Sequence, residues 1–269
     1  MFITKKLTPL EQIKKQISKK MEQLTEIQYN ISNFNNFIEK HKITHLYVSY
    51  SLNIFEERFL KKFNLIKYNN SVNKNTIFFG VYCSQDVNII NKHKSPSYIM
   101  FGGTDVDICI FKNIFKKYTY LSISNNIFNR LKKISIRSLL IEDFTLVDTT
   151  IFKKTDKRGS KIYIYSGNSS NFGERYGESY YKKVVELLPE YEYIYSHNIN
   201  YPYEKMPDIY SECFIGLRLT SNDGNANTVQ EFKALGLPII HNQSNYGLKW
   251  NNIDDITKYI NNYKVYINN

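Results

Sequence analysis

The segment from Phe214 to Asn242, FIGLRLTSNDGNANTVQEFKALGLPIIHN, concentrates the residue types that can hold a charged ligand. An apolar run reaches Arg218, a polar loop carries Asp223, Gly224, Asn225 and Asn227, and a helical pattern opens at Thr228 and contains Glu231. A helix entered from such a loop exposes unpaired backbone N–H groups and about half a positive charge, which seats a phosphate. Glu231 stands about one turn inside that helix. It repels a phosphate but accepts hydrogen bonds from sugar hydroxyls beside one, as acidic residues do at ribose in dinucleotide sites. A ligand-free strand, turn and helix with a capping loop is the plainer use of the same residues.

Strand-helix alternation along the chain positions this loop. The reading places strands near Thr44 to Tyr50, Leu65 to Tyr68, Thr76 to Val81, Tyr98 to Phe101 and Tyr118 to Ser124, with helices at Ile54 to Phe63 and Asn126 to Lys133. The polar segment Lys153 to Ser160 marks a boundary, so residues 1–155 and 156–269 form two domains. Behind it the rhythm restarts with strands at Lys161 to Tyr165, Tyr191 to Tyr195, Phe214 to Leu219 and Pro238 to His241. Helices lie within Tyr176 to Leu188, at Met206 to Cys213, at Thr228 to Leu235 and at Asp254 to Tyr263, the last packing back toward the first domain. The expected class is α/β, with two Rossmann-like, doubly wound parallel sheets.

With Ala234, Gly236 and Pro238 following Glu231, the order of acid, glycine, helix, Gly-Leu-Pro and strand resembles the C-terminal donor motif of GT-B glycosyltransferases of the family-four type. Those enzymes usually carry Glu where this chain has Asp223, and Ala where it has Phe232; their first domain opens with a strand and a Gly-rich loop, whereas this chain opens with a helix and has no glycine before Gly80, so a reduced or rebuilt first domain facing the second across a cleft is expected. The resemblance implies a nucleotide-sugar donor as substrate, no resident cofactor, transfer of a hexose with retention, and an acceptor that is a glycan, a lipid or a protein. It puts Glu231 on the ribose, the backbone from Gly224 to Thr228 around the phosphates, and Asp223 beside the transferring sugar. It also implies that Gly167, in the loop SGNSSNFGERYGE, admits close backbone approach, with Arg175 or Arg218 neutralising phosphate charge. His197 falls in the loop that commonly holds the base. In the first domain, Gly102-Gly103-Thr104-Asp105 ends a strand, where open α/β sheets bind ligands. The resemblance makes Asp105 a second catalytic candidate there. Asp105-Val106-Asp107 matches a DxD metal motif, but beside the longer C-terminal pattern it reads as coincidence, so donor binding is expected to need no divalent metal.

Composition bounds the rest. The 269 residues suffice for about two domains, and 42% hydrophobic with 15% aromatic residues is a globular balance. The net charge of +11 invites nucleic acid or an anionic membrane, yet lysine is spread through a chain that is also rich in Asn, Ile, Tyr and Phe, which share A/T-rich codons. Nucleic acid is therefore disfavoured. Three widely spaced cysteines form no zinc or disulfide pattern, and a cytoplasmic setting fits. Apolar residues from Leu10 to Ile31 recur at helical spacing behind Thr8 as N-cap and Pro9, so Pro9 to about Lys40 reads as one long amphipathic helix or two in succession, which covers its own domain, pairs with another copy or docks peripherally on a membrane. The competing class is a non-catalytic glycan- or nucleic-acid-binding protein on a degenerated scaffold of the same shape.

Overall fold

The computed structural model describes residues 30–71, 73–109, 118–142, 144–156, 158–167, 173–221, 223–244 and 246–264. The expected helix from Pro9 lies outside them up to residue 29. Eleven described strands form two sheets, all of them parallel.

The first sheet contains β1 (Asn30–Ile31), β2 (His45–Val48), β3 (Ile66–Lys67), β4 (Thr76–Phe79), β5 (Ser97–Phe101), β6 (Thr119–Ser122) and β7 (Ser138–Ile141), in the order β1-β7-β6-β5-β4-β2-β3. Every residue of β4 and β5 is buried, as in parallel strands covered on both faces. Around it lie α1 (Phe34–Lys40), α2 (Glu56–Phe63), α3 (Ser84–Lys92), α4 (Asp105–Cys109) and α5 (Asn125–Lys133). The second sheet contains β8 (Lys161–Ile164), β9 (Tyr193–Tyr195), β10 (Cys213–Leu217) and β11 (Ile239–Ile240), ordered β11-β10-β8-β9. Its helices are α6 (Glu178–Leu187), α7 (Met206–Ser211), α8 (Asn227–Leu235) and α9 (Ile253–Lys264). Side chains alternate across β8. Ile162 and Ile164 join one apolar cluster, with Ile256 and Ile260 of α9, while Tyr163 joins another with Val229 and Phe232 of α8.

From β2 in the first sheet and from β8 in the second, the chain runs first to one side of that strand and then to the other. The connection order therefore reverses between β2 and β4 in the first sheet and between β8 and β10 in the second. Crevices at the carboxyl ends of strands flanking such reversals are where open α/β sheets bind ligands.

Several elements differ from expectation. Asn30 and Ile31 form a strand paired with Leu140 and Ile141 instead of continuing a helix to Lys40; α1 starts afresh at Asn33, whose side chain accepts from the Asn36 N–H at 3.1 Å. The helix placed at Ile54 is a 3-10 segment, Tyr50–Phe55, before α2 begins. The sequence reading missed α3, α4 and β7, and the first sheet, with seven described strands against four in the second, is not the reduced one expected. Buried Asp86 organises α3: its carboxylate accepts from the N–H groups of Tyr82 (2.7 Å) and Cys83 (3.0 Å) and the hydroxyls of Tyr47 (2.6 Å) and Ser49 (2.9 Å). The last helix, α9, packs on α6 and β10 of the second sheet, not on the first, because Ile256 and Ile260 complete the cluster beneath Ile162 and Ile164.

Gly159 leads into β8 at a close approach. A Cβ there would stand 1.9 Å from the Glu212 carbonyl oxygen, which belongs to the backbone. Gly159→Ala is expected to destabilise the fold by about 1–3 kcal/mol, the usual cost of forced overpacking, measurable as a lower urea midpoint.

Candidate functional site

Both reversal points open onto one cavity of about 190 Å³. Leu52, Phe79 and Gly102 reach it from the first sheet, and Tyr165, Arg218 and the start of α8 from the second. Arg218 is its central charge. The guanidinium lies 3.6 Å from the centroid of the Tyr165 ring, and Nε donates to Asp223 Oδ2 at 2.5 Å. Nη1 stands 3.5 Å from Thr228 Oγ1. Asp223 also accepts from Thr220 Oγ1 at 3.3 Å. Burial pushes the Asp223 carboxyl up, but the adjacent Arg218 guanidinium more than offsets this and holds it below the usual carboxylate range. Burial likewise works against the Arg218 charge, and the Asp223 carboxylate overrides it and raises the pKa.

Helix α8 begins after Ala226, which provides no side-chain cap. Its first turn carries Asn227 and Thr228 on the cavity wall beside Arg218, so backbone N–H groups and guanidinium act on the same space. The far end of α8 closes on Gly236 in the left-handed region (φ 74°), as a glycine C-cap requires. The loop before α8 meets the first sheet directly. A Cβ on Gly224 would lie 2.8 Å from the Gly102 carbonyl oxygen and 3.3 Å from Gly103 Cα. Asn225 Nδ2 donates to the Phe144 carbonyl at 2.5 Å, while its Oδ1 accepts from Gln230 Nε2 at 2.8 Å.

On one side this cavity adjoins a larger one of about 810 Å³, with Leu146, Tyr165 and Thr228 in both walls. Tyr163, Tyr203, Tyr210 and Glu231 line the larger space. Glu231 is buried; it accepts from the Tyr210 hydroxyl at 2.6 Å and from Asn227 Nδ2. Burial raises its pKa, against the Tyr210 hydrogen bond and the fields of Arg58 and Arg218. On the other side lies a polar cavity of about 410 Å³, sharing Ile123, Phe144, Asn225 and Gln230 and adding Asn125, Gln243 and Ser244. The crevice thus runs from an aromatic chamber that also carries Arg58, Lys61, Lys62 and Glu231, through one holding the Arg218–Asp223 pair, to one rich in amides.

Asp223, Gly224, Asn225, Asn227, Thr228, Glu231 and Arg218 are brought together here. Four other candidates are placed differently. Asp105 is buried, and its carboxylate accepts from the N–H groups of Gly103 (2.7 Å), Gly102 (3.1 Å) and Val81 (3.2 Å). It ties the two loops after β4 and β5 together. Asp107 pairs with Arg130, so the two carboxylates of the DVD segment do not converge. Arg175 is exposed and lines a separate cavity of about 480 Å³ with Tyr180 and Trp250, leaving Arg218 as the cation beside α8. His197 turns Nδ1 onto the buried Ser166 hydroxyl at 2.6 Å, and Gly167 (φ 80°) packs against the Tyr176 ring.

His241, which the sequence reading left aside, lies directly behind Arg218. It is buried, with Nδ1 3.1 Å from the Arg218 carbonyl oxygen and Nε2 without a hydrogen-bond partner. Burial lowers its pKa from the ordinary 6.5 to about 4. The unfolded chain takes up a proton there as pH falls through 6.5, whereas the folded chain stays neutral down to about 4. The stability this group contributes is therefore complete above pH 6.5 and drains away between 6.5 and 4. His241→Gln is expected to flatten that part of the stability curve, as read by urea unfolding at several pH values.

Among the described residues no helix is long and apolar enough to cross a membrane. No protein-family model matches the chain, and no curated protein sequence matches it.

Proposed function

We propose that this chain is a glycosyltransferase that takes a sugar from a nucleotide-sugar donor, working in the manner of the GT-B enzymes its C-terminal half resembles. The observation that carries this reading is the meeting of both sheets' reversal points at a cavity that holds Arg218 and the uncapped start of α8. The order of the chambers supports it. A nucleotide sugar is a base, a ribose, a diphosphate and a sugar in line; the crevice offers tyrosines, Glu231, a cationic seat and amides in the same order.

In this reading residues 156–269 hold the donor, residues 1–155 face the acceptor, and the work is done in the cytoplasm. Arg218 and the α8 N–H groups accept the negative charge that gathers on the diphosphate as the glycosidic bond breaks, a contribution that grows toward the transition state. Asp223, fixed by Arg218 and Thr220, faces the sugar end. Glu231 holds the ribose, and Asn225 with Gln230 forms the gate between the diphosphate and the amide chamber.

The test is incubation with a panel of nucleotide sugars and mixed glycan acceptors, with nucleoside diphosphate release as the readout. Release that rises with acceptor and survives EDTA is expected. Release that stops in EDTA and returns with manganese would move the chemistry to a metal site, and tight nucleotide binding without release would favour the non-catalytic alternative. Asp223→Asn, which keeps an acceptor for Arg218 Nε, is expected to depress turnover while leaving nucleoside diphosphate affinity near that of the parent.

A further inference from the structure

The ladder between β8 and β10 breaks where the crevice begins. Its last direct rung is the Tyr165 N–H on the Leu217 carbonyl at 2.9 Å. In a parallel pair each such residue bonds to two partner residues that stand two apart, so the next rung would join the Leu219 N–H to the Tyr165 carbonyl. A hydroxyl stands in that rung instead. Tyr181 of α6 donates to the Tyr165 carbonyl at 2.9 Å and accepts from the Leu219 N–H at 3.0 Å, with the Leu217 carbonyl 3.5 Å away. Tyr181 is buried, and burial pushes its ionisation up, so the group stays a hydroxyl that both donates and accepts. A close approach brings it there: a Cβ on Gly177, which precedes α6, would stand 2.7 Å from the Leu219 carbonyl oxygen.

We propose that Tyr181 is a positioning residue for the diphosphate seat: its hydroxyl holds the ends of β8 and β10 apart and so sets the Tyr165 ring and the Arg218 guanidinium to meet a ligand that Tyr181 itself does not touch. This rests on the reading of Arg218 as that seat. The inserted oxygen fixes both flanks of Arg218. Tyr165 carries the ring whose centroid lies 3.6 Å from the guanidinium, and Leu219 follows Arg218 in the chain. Tyr181 packs with Leu217 and Leu219 in one apolar cluster of the second sheet, whereas Tyr165 packs against the other, so the hydroxyl works from behind the ligand. A direct rung would draw the two strand ends together at the reversal point, where a ligand crevice needs them apart. Without the hydroxyl, two buried backbone groups either lose their partner or close on one another, and both outcomes disturb the seat.

Calorimetric titration of the full chain with GDP and UDP, beside urea unfolding, compares Tyr181→Phe with Val184→Ala. Val184 lies one turn further along α6, buried in the same cluster, and its side chain has no hydrogen bond to lose. Both variants are expected to lower the urea midpoint. Only Tyr181→Phe is expected to weaken binding of both diphosphates, by at least roughly tenfold. Tyr165→Leu, which removes the ring and keeps the carbonyl, is expected to weaken Tyr181→Phe by a smaller factor than it weakens the parent, because both changes act on one group. Parent-like binding by Tyr181→Phe, an equal loss in Val184→Ala, or fully additive losses overturn the positioning role while the nucleotide site stands. One measurement needs no variant to fold: in the free parent the Leu219 amide is expected to exchange with solvent as slowly as the amides of β10, and exchange at the rate of a loop amide overturns the proposal. Failure of the parent to bind either diphosphate overturns both this inference and the nucleotide reading beneath it.

Discussion

Arg218→Met is expected to weaken nucleoside diphosphate binding by at least roughly thirtyfold and to cost about 3–5 kcal/mol of folding stability. Both effects have one cause. The Arg218 and Asp223 side chains are only 9% and 12% exposed, so deleting the cation strands a largely buried carboxylate without its partner. The same deletion removes the charge that stands beside the first turn of α8. The two effects separate in a double variant. Adding Asp223→Asn to Arg218→Met relieves the stranded charge and returns much of the stability, while diphosphate binding stays lost. Urea midpoints report the first quantity and isothermal titration the second. A double variant that regains both would show that Arg218 only neutralises Asp223 and never meets a ligand.

Glu231→Gln is expected to weaken nucleotide affinity roughly ten- to a hundredfold, since hydrogen bonds to a charged group contribute about 1.5–3 kcal/mol each. A carboxylate offers about four acceptor positions. The Tyr210 hydroxyl and Asn227 Nδ2 take two, which leaves two for the hydroxyls of a ribose. Gln keeps the shape but turns one of those acceptors into a donor. Folding is expected to change little, because Gln keeps an acceptor for the Tyr210 hydroxyl. Unchanged affinity for every nucleotide tested would remove Glu231 from the site and, with it, much of the weight of the family resemblance.

The order of elements around Glu231 was legible because local rules govern each of them. An apolar run became β10, helical spacing became α8, and Gly-Leu-Pro became a left-handed cap followed by β11. Rhythm and burial pattern likewise carried the α/β class. What was not legible depends on partners far away in the chain. Asp105 looked functional because it follows a strand and two glycines, but its neighbours include the Val81 N–H, 24 residues earlier, and that bond turns it inward. Asp86 carries no motif, yet it gathers Tyr47, Ser49 and the start of α3. The amphipathic stripe of α9 announced a buried face without saying which sheet would cover it. Arg58 fell in a helix of alternating charge, where nothing local separates it from a solvated residue; only the approach of Tyr203, 145 positions later by sequence number, sets it apart. Segment-to-segment contacts decide these cases, and hydrophobic periodicity carries no information about them.

The most direct measurement is a crystal structure of the chain with a nucleoside diphosphate bound, GDP and UDP each being tried. The account predicts phosphate oxygens within hydrogen-bond distance of the Arg218 guanidinium and of the backbone N–H groups at Asn227 and Thr228. It also predicts ribose hydroxyls on Glu231 and the base in the chamber lined by Tyr163, Tyr203 and Arg58. Nucleotide bound elsewhere on the molecule, with none in the cavity around Arg218 and α8, would contradict it.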